Sequence, residues 1–233
     1  MIDSSEGRRL HALAEEARES GDFLKALEYT DQATIAYQDD KDYLGLSEVQ
    51  SSRQSTFKQL FRKTRDTNFL ILEKHSALSA VEIAEKSGIK EALGIPYHNL
   101  GKYYFEAKEY DKATHFFEKA VENLEKYPNG RHSRPSVIAD IRGHLYTAKY
   151  HAGDKSALKK ALGALEELQR SDEESYNRNV WICGAHIRIA EMLAKDNASL
   201  ARKHFDQAQS IISSDKRLVL RKGQIERLRK ILY

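Results

Sequence analysis

One cysteine, Cys183, stands in 233 residues, so the chain has no means of building an intrachain disulfide framework. Prolines number three. That scarcity leaves room for long uninterrupted helices and argues against both disorder and an all-β fold. No apolar run approaches the roughly 20 residues needed to span a bilayer. The opening Met1-Ile2-Asp3-Ser4-Ser5-Glu6 is acidic and polar, unlike a secretory signal. Neither sign of charge dominates: 38 Lys and Arg face 35 Asp and Glu, and a net charge of +3 demands no nucleic-acid partner. Ser/Gly-rich linkers and low-complexity stretches are missing too. These absences predict a cytoplasmic protein folded as one helical domain over residues 1–233.

The catalytic signatures are also missing. There is no H-E-x-x-H, no G-x-x-x-x-G-K-[ST], no G-x-S-x-G and no C-x-x-C. Asp140, His144 and His151 share a helix face, but the third lies nearly two turns from the first, and His144 falls on a core position. A zinc site needs three well-placed ligands and an orienting shell. Cys183 follows Val180-Trp181-Ile182, the setting of a buried, inert thiol. No enzyme, no metal and no cofactor is expected.

What is present is a periodic pattern of aromatic and small residues. Residues 97–120 read Tyr97-x-x-Leu100-Gly101-x-x-Tyr104, then Ala113-x-x-x-Phe117-x-x-Ala120. The first four recur at i, i+3, i+4 and i+7, one face of a helix. Gly101 inside a helix costs about 1 kcal/mol against Ala, so it needs a packing reason. Close approach of a second helix carrying the small Ala113 and Ala120 supplies one, with Glu109-Tyr110-Asp111 as the break between the two. This unit resembles the tetratricopeptide repeat (TPR), a helical hairpin of about 34 residues. The resemblance implies a stack of such hairpins, since one alone cannot bury its apolar face.

Degenerate copies extend the resemblance over nearly the whole chain. Leu10-x-x-Leu13-Ala14-x-x-Ala17 leads through Gly21-Asp22 to Ala26-x-x-x-Thr30-x-x-Ala33. Ala77-x-x-x-Val81-x-x-Ala84, Ala157-x-x-x-Ala161-x-x-Ala164 and Ala201-x-x-x-Phe205-x-x-Ala208 match the second helix of the unit. Leu44-Gly45-Leu46 and Leu93-Gly94-Ile95 each open a first helix. The anchoring alanines 26, 77, 113, 157 and 201 are separated by 51, 36, 44 and 44 residues, so most units are longer than the family's usual length.

The expected architecture is all-α: a right-handed TPR-like α-solenoid of about five helical hairpins plus a C-terminal capping helix. The hairpins fall at 5–20 and 23–39, 43–64 and 67–87, 89–107 and 110–126, 135–152 and 154–170, and 173–195 and 198–213. Ser4 or Ser5 caps the first helix. The last helix, 216–232, follows the capping sequence Ser213-Ser214-Asp215. The turn cluster from Tyr127 to Pro135 separates two units.

Two basic regions stand out. The second hairpin holds about 13 extra residues, so its tip should project with Phe57, Lys58, Phe61, Arg62, Lys63, Arg65, Phe69 and Leu70. Cations among aromatics can hold phosphates and bases. The plainer reading packs the phenylalanines between the two long helices and leaves the cations to solvent. The last helix sets Lys216, Arg217, Arg221, Lys222, Arg227, Arg229 and Lys230 against Glu226, around a stripe of Leu218, Ile225, Leu228 and Leu232. A terminal cap needs that design; self-association through this helix is the alternative.

The resemblance implies a protein-interaction scaffold without enzymatic activity, binding a peptide or protein segment in a concave groove lined by the first helix of each hairpin. With the packed faces assigned as above, the groove side holds Arg8, His11, Glu15 and Arg18 in the first hairpin. It holds His98, Asn99, Lys102, Phe105 and Glu106 in the third, and Arg142, Tyr146 and Lys149 in the fourth. Cations, amides and aromatics in this mixture suit an extended peptide. The carboxylate clamp of TPR chaperone adaptors is not expected, because His11, Glu15, Ala139 and Gly143 fill four of its five positions and only Asn99 matches. A nucleic-acid-binding helical repeat, using the basic tip and the basic last helix, is the rival reading. No membrane partner is expected.

Overall fold

Helices joined by short turns make up nearly all of the described residues, and four of the first unit's helices start on a side-chain cap. The computed structural model describes residues 4–130 and 132–233. Met1, Ile2 and Asp3 of the opening segment and Arg131 of the turn cluster lie outside them. The described residues fall into two compact units, 1–132 and 133–233, divided at the expected turn cluster.

The first unit holds three hairpins: α1 (Ser5–Ser20) with α2 (Phe23–Asp39), α3 (Tyr43–Thr64) with α4 (Thr67–Lys86), and α5 (Gly94–Glu106) with α6 (Tyr110–Lys126). A 3₁₀ turn, Lys90–Leu93, leads into α5. Ser4, Asp22, Asp42 and Asp66 cap α1 to α4 by accepting a backbone N–H of the first turn. The reversals use left-handed residues: Gly21 at φ 88°, Arg65 at φ 62° and Lys108 at φ 62°. Lys108 corrects one expectation. The break in the third hairpin is Ala107–Glu109, and Tyr110 already opens α6.

The anchoring small residues do what their spacing implies. Ala26, Ala77 and Ala113 are fully buried, as are Phe117 and Ala120. A Cβ added at Gly101 would lie 2.6 Å from the Phe117 ring, so only glycine permits that approach of α5 to α6. In the first two hairpins the same role is inverted. Tyr37 of α2 is the large group, and Gly7 of α1 and Gly45 of α3 receive it from both sides. A Cβ at those glycines would come within 2.6 and 2.2 Å of the ring.

The extra residues of the second hairpin do lengthen its helices. α3 has 22 residues against 16 in α1 and 13 in α5. Six residues of helix add about 9 Å. Phe57 is buried and stacks on Phe69 with ring centroids 6.4 Å apart, so the tip aromatics knit the two long helices together.

The second unit holds α7 (Pro135–His151) with α8 (Ala157–Arg170), α9 (Ser175–Leu193) with α10 (Ala198–Ser214), and the terminal α11 (Val219–Leu232). One core runs through it, from Ala139 and Tyr150 past Ala161, Leu168 and Phe205 to Ile225, Leu228 and Leu232. The expected cap of the last helix is corrected here. α10 continues to Ser214, and Asp215 instead accepts from Arg217 at 2.8 Å and from Asn179 at 3.3 Å. α11 therefore starts later, after Leu218, with no side-chain cap. Among the described residues no helix is long and apolar enough to cross a membrane.

Candidate functional site

In the first unit the helices α1, α3 and α5 line a cavity of about 370 Å³. Arg8, His11, Glu15 and Arg18 enter it from α1, one turn apart along one face. The wall from α3 is Glu48, Ser51, Ser52 and Ser55, and α5 supplies Ile95 and Asn99. His132 and the Tyr37 ring complete the lining. Five of the expected groove residues are thus brought together: Arg8, His11, Glu15, Arg18 and Asn99.

The electrostatics of the cavity are mixed and locally balanced. Arg18 donates to the Ser52 hydroxyl at 2.8 Å and lies 3.6 Å from Glu15. His132 and Glu48 approach to 3.0 Å. The Tyr37 hydroxyl lies 3.5 Å from His11 Nδ1, which fixes the imidazole above the ring that spaces α1 from α3. Ser51 is 6% exposed, and its hydroxyl has no hydrogen-bond partner. Donors and acceptors of both charges therefore converge on one space.

The remaining expected residues are placed otherwise. The pattern expects His98 on the exposed side of α5, yet it is 8% exposed, and even Asn99, which reaches the cavity, is 5% exposed. The cause is that α5 is flanked by α4 and α3 on one side and α6 on the other, which narrows its open stripe to less than the sequence pattern suggests. His98 packs on the Phe117 ring at 5.7 Å. Phe105 sits edge-on to Tyr110, with centroids 5.4 Å apart. Glu106 receives both arms of Arg62, at 3.1 and 2.8 Å. Lys102, Phe105 and Glu106 are half-buried and do not line the cavity.

In the second unit, Arg142 donates to Glu167 of α8 at 2.8 Å. Tyr146 packs on the core and carries Lys160 5.9 Å over its ring. Both lean on their own hairpin partner, and Lys149 is half-buried beside them. Asp140 and His144, which share a face of α7, meet at the centre of this unit a partner the sequence did not single out. Arg188 of α9 donates to Asp140 at 2.7 Å and lies 2.9 Å from His144 Nε2, with Arg188 and Asp140 each 8% exposed. Gly143 leaves the space this guanidinium needs, since a Cβ there would lie 3.2 Å from Nη2. His186 and His204 meet Nδ1 to Nδ1 at 2.9 Å, and burial pushes the His186 pKa down to about 4. Burial likewise pushes the Cys183 thiol up to about 11, which keeps it protonated and unreactive.

The residues missed in the cavity are those of α3. Ser55 stands where the repeat pattern has a tyrosine, and Ser51 and Ser52 are equally small. Small hydroxyls on a first helix, beside helices that carry Arg and His, are the signal that space is left open. His132, from the turn cluster, carried no such signal.

No family model and no curated protein matches this chain. Solved structures do. BtubC (BKLC) from P. vanneervenii is 18% identical with a TM-score of 0.64, over 89% of this chain and 80% of that one. A Podosopora anserina protein described as a kinesin light chain with nearly identical TPR-like repeats is 16% identical with a TM-score of 0.58, over 92% of this chain and 98% of that one. At such identities the likeness speaks for architecture: this chain has a TPR-like helical-repeat fold.

Proposed function

We propose that the protein is a non-enzymatic interaction scaffold that binds a peptide or protein segment along α1, α3 and α5. The single observation that carries this reading is the cavity on that face, where Arg8, Arg18, Glu15, Asn99 and an unpartnered, buried Ser51 hydroxyl converge. Folds of the TPR kind are generally used as protein scaffolds, which supports it. A second cavity of about 430 Å³ lies between α2, α3 and α4; Thr34, Gln38, Asp39, Gln50 and Ser79 line it with Ile35, Leu46 and Ile83, and its lining holds no cation to set against the Arg8 and Arg18 of the first. The rival nucleic-acid reading gains nothing from the tip of the second hairpin: Phe57 is buried and Arg62 is engaged by Glu106.

The test is a pull-down from native lysate with and without nuclease, followed by calorimetric titration of the partner it returns. Arg8→Ala, Glu15→Ala and Asn99→Ala should each weaken binding by about 1–3 kcal/mol. Wild-type binding by all three, with loss on Ile35→Glu, would move the site to the other face. Submicromolar nucleic-acid binding at about 0.15 M salt, lost on Arg62→Ala/Lys63→Ala/Arg65→Ala, would replace the reading altogether.

A further inference from the structure

The long hairpin buries a carboxyl group in its middle. Glu73 of α4 and Gln54 of α3 are both 0% exposed. Gln54 Nε2 donates to Glu73 Oε1 at 2.7 Å. That single bond leaves Glu73 Oε2 and Gln54 Oε1 buried with no hydrogen-bond partner. A carboxylate can only accept, and the amide oxygen can only accept, so two orphaned acceptors sit in one dry place. Natural interiors rarely tolerate such a pair.

One proton resolves it. A carboxylic acid beside a primary amide has a donor and an acceptor facing an acceptor and a donor, so the two groups can join through two antiparallel hydrogen bonds. The surroundings favour that form. Burial is the strongest influence on Glu73 and raises its pKa; the carboxylate of Glu106 on α5 raises it further. Lys58 on α3, next in strength after burial, works the other way, as do the Gln54 hydrogen bond and Arg62, which is already held by both oxygens of Glu106; burial outweighs them and the net shift is upward. Tyr103 of α5 also feels Glu73, and its own pKa is raised chiefly by burial.

We propose that Glu73 is carried as a neutral carboxylic acid doubly hydrogen-bonded to Gln54, and that its proton latches α3 to α4 as a pH-sensitive lock. Loss of the proton to a base in solvent leaves a carboxylate in an apolar hairpin, with Glu106 as a repelling neighbour. The hairpin then loosens, and with it the Arg62–Glu106 link to α5. The direction follows from linkage. A carboxyl whose folded pKa is raised contributes its full stabilisation below the ordinary value of 4.5 and loses it as pH rises through the folded pKa. This device is independent of what occupies the cavity on α1, α3 and α5.

The experiment uses the full chain. Thermal melts of wild type and Glu73→Gln are compared from about pH 5 to about pH 9, beside isotope-edited infrared spectra of the glutamate carboxyls. Glutamine in place of Glu73 is an isostere that makes the same two hydrogen bonds and cannot titrate. Wild type should lose about 5 °C more in Tm across this range than the variant. Its protonated-carboxyl band at neutral pH should fade as pH rises and be missing from Glu73→Gln. Parallel pH profiles, a missing band in wild type, or failure of Glu73→Gln to fold would each overturn the proposal.

Discussion

Both units pair polar side chains of their first helices inside the fold, but among the described residues only the first also gathers a set of them around a cavity. In the first, Arg8, Arg18, Glu15 and Asn99 are gathered around a cavity, and the close packing is left to apolar-on-glycine contacts such as Tyr37 between Gly7 and Gly45. In the second, the corresponding polar groups turn inward and consume one another: Asp140 with Arg188 and His144, and His186 with His204. The same repeat pattern thus supports polar groups paired around an open cavity and polar groups paired inside a core. A hydrogen-bonded pair in the core fixes which neighbours fit together.

The largest expected effect tests the inward half of this contrast. Asp140→Ala leaves the Arg188 guanidinium buried beside His144 without its carboxylate, and should cost about 3–5 kcal/mol in denaturant unfolding. The double change Asp140→Leu/Arg188→Met should cost less than that single one, because both charges are then gone. Equal cost for the two would show that the pair matters through shape alone.

Next comes the packing on which the first unit relies. Gly101→Leu and Gly45→Leu drive a side chain into Phe117 and Tyr37, and each should destabilise by about 2–4 kcal/mol in thermal melts. An unchanged melting temperature would show that these helices are not held by close approach.

The histidine pair separates the units by pH. Burial depresses the pKa of both His186 and His204 below the ordinary 6.5, with His186 at about 4. A depressed histidine contributes stability above 6.5 that is lost as pH falls through the folded pKa. For His186 this amounts to about 3 kcal/mol between those limits. Hydrogen exchange should show protection falling in α9 and α10 on acidification, and His186→Leu should flatten that fall. Equal loss in wild type and variant would assign the acid sensitivity elsewhere.

The smallest effects on folding belong to the groove. Arg8 and Glu15 are exposed, so Arg8→Ala and Glu15→Ala should change stability by less than about 1 kcal/mol while weakening partner binding by about 1–3 kcal/mol. That split between folding and binding is the signature of the outward half of the contrast. Large destabilisation by either would blur it.

Much of the fold was legible because its cause is local. Alanine at i and i+7 around a residue at i+4 that is often larger specifies two helices in close contact, and Ser4, Asp22, Asp42 and Asp66 mark where the first four helices start. The ten hairpin helices accordingly begin and end within a few residues of the expected places. The site was half legible. Arg8, His11, Glu15 and Arg18 follow from the register of α1 alone, since that helix keeps one side open. His98 misled, because α5 has neighbours on both flanks. Tyr146 and Arg142 lean on α8, a contact that register cannot express. Ser51, Ser52 and Ser55 matter by being small, and smallness on a surface has no pattern of its own.

By itself, then, the sequence determined an all-α chain of paired helices with glycine and alanine at each crossing, because helical periodicity and steric size act over a few residues. Only the tertiary structure decided which polar groups would be buried and with whom. Arg188 finds Asp140 from 48 positions away, and Gln54 meets Glu73 across 19. Desolvation depends on every neighbour that packing brings near, and that sum over distant parts of the chain is available only once the helices are in place.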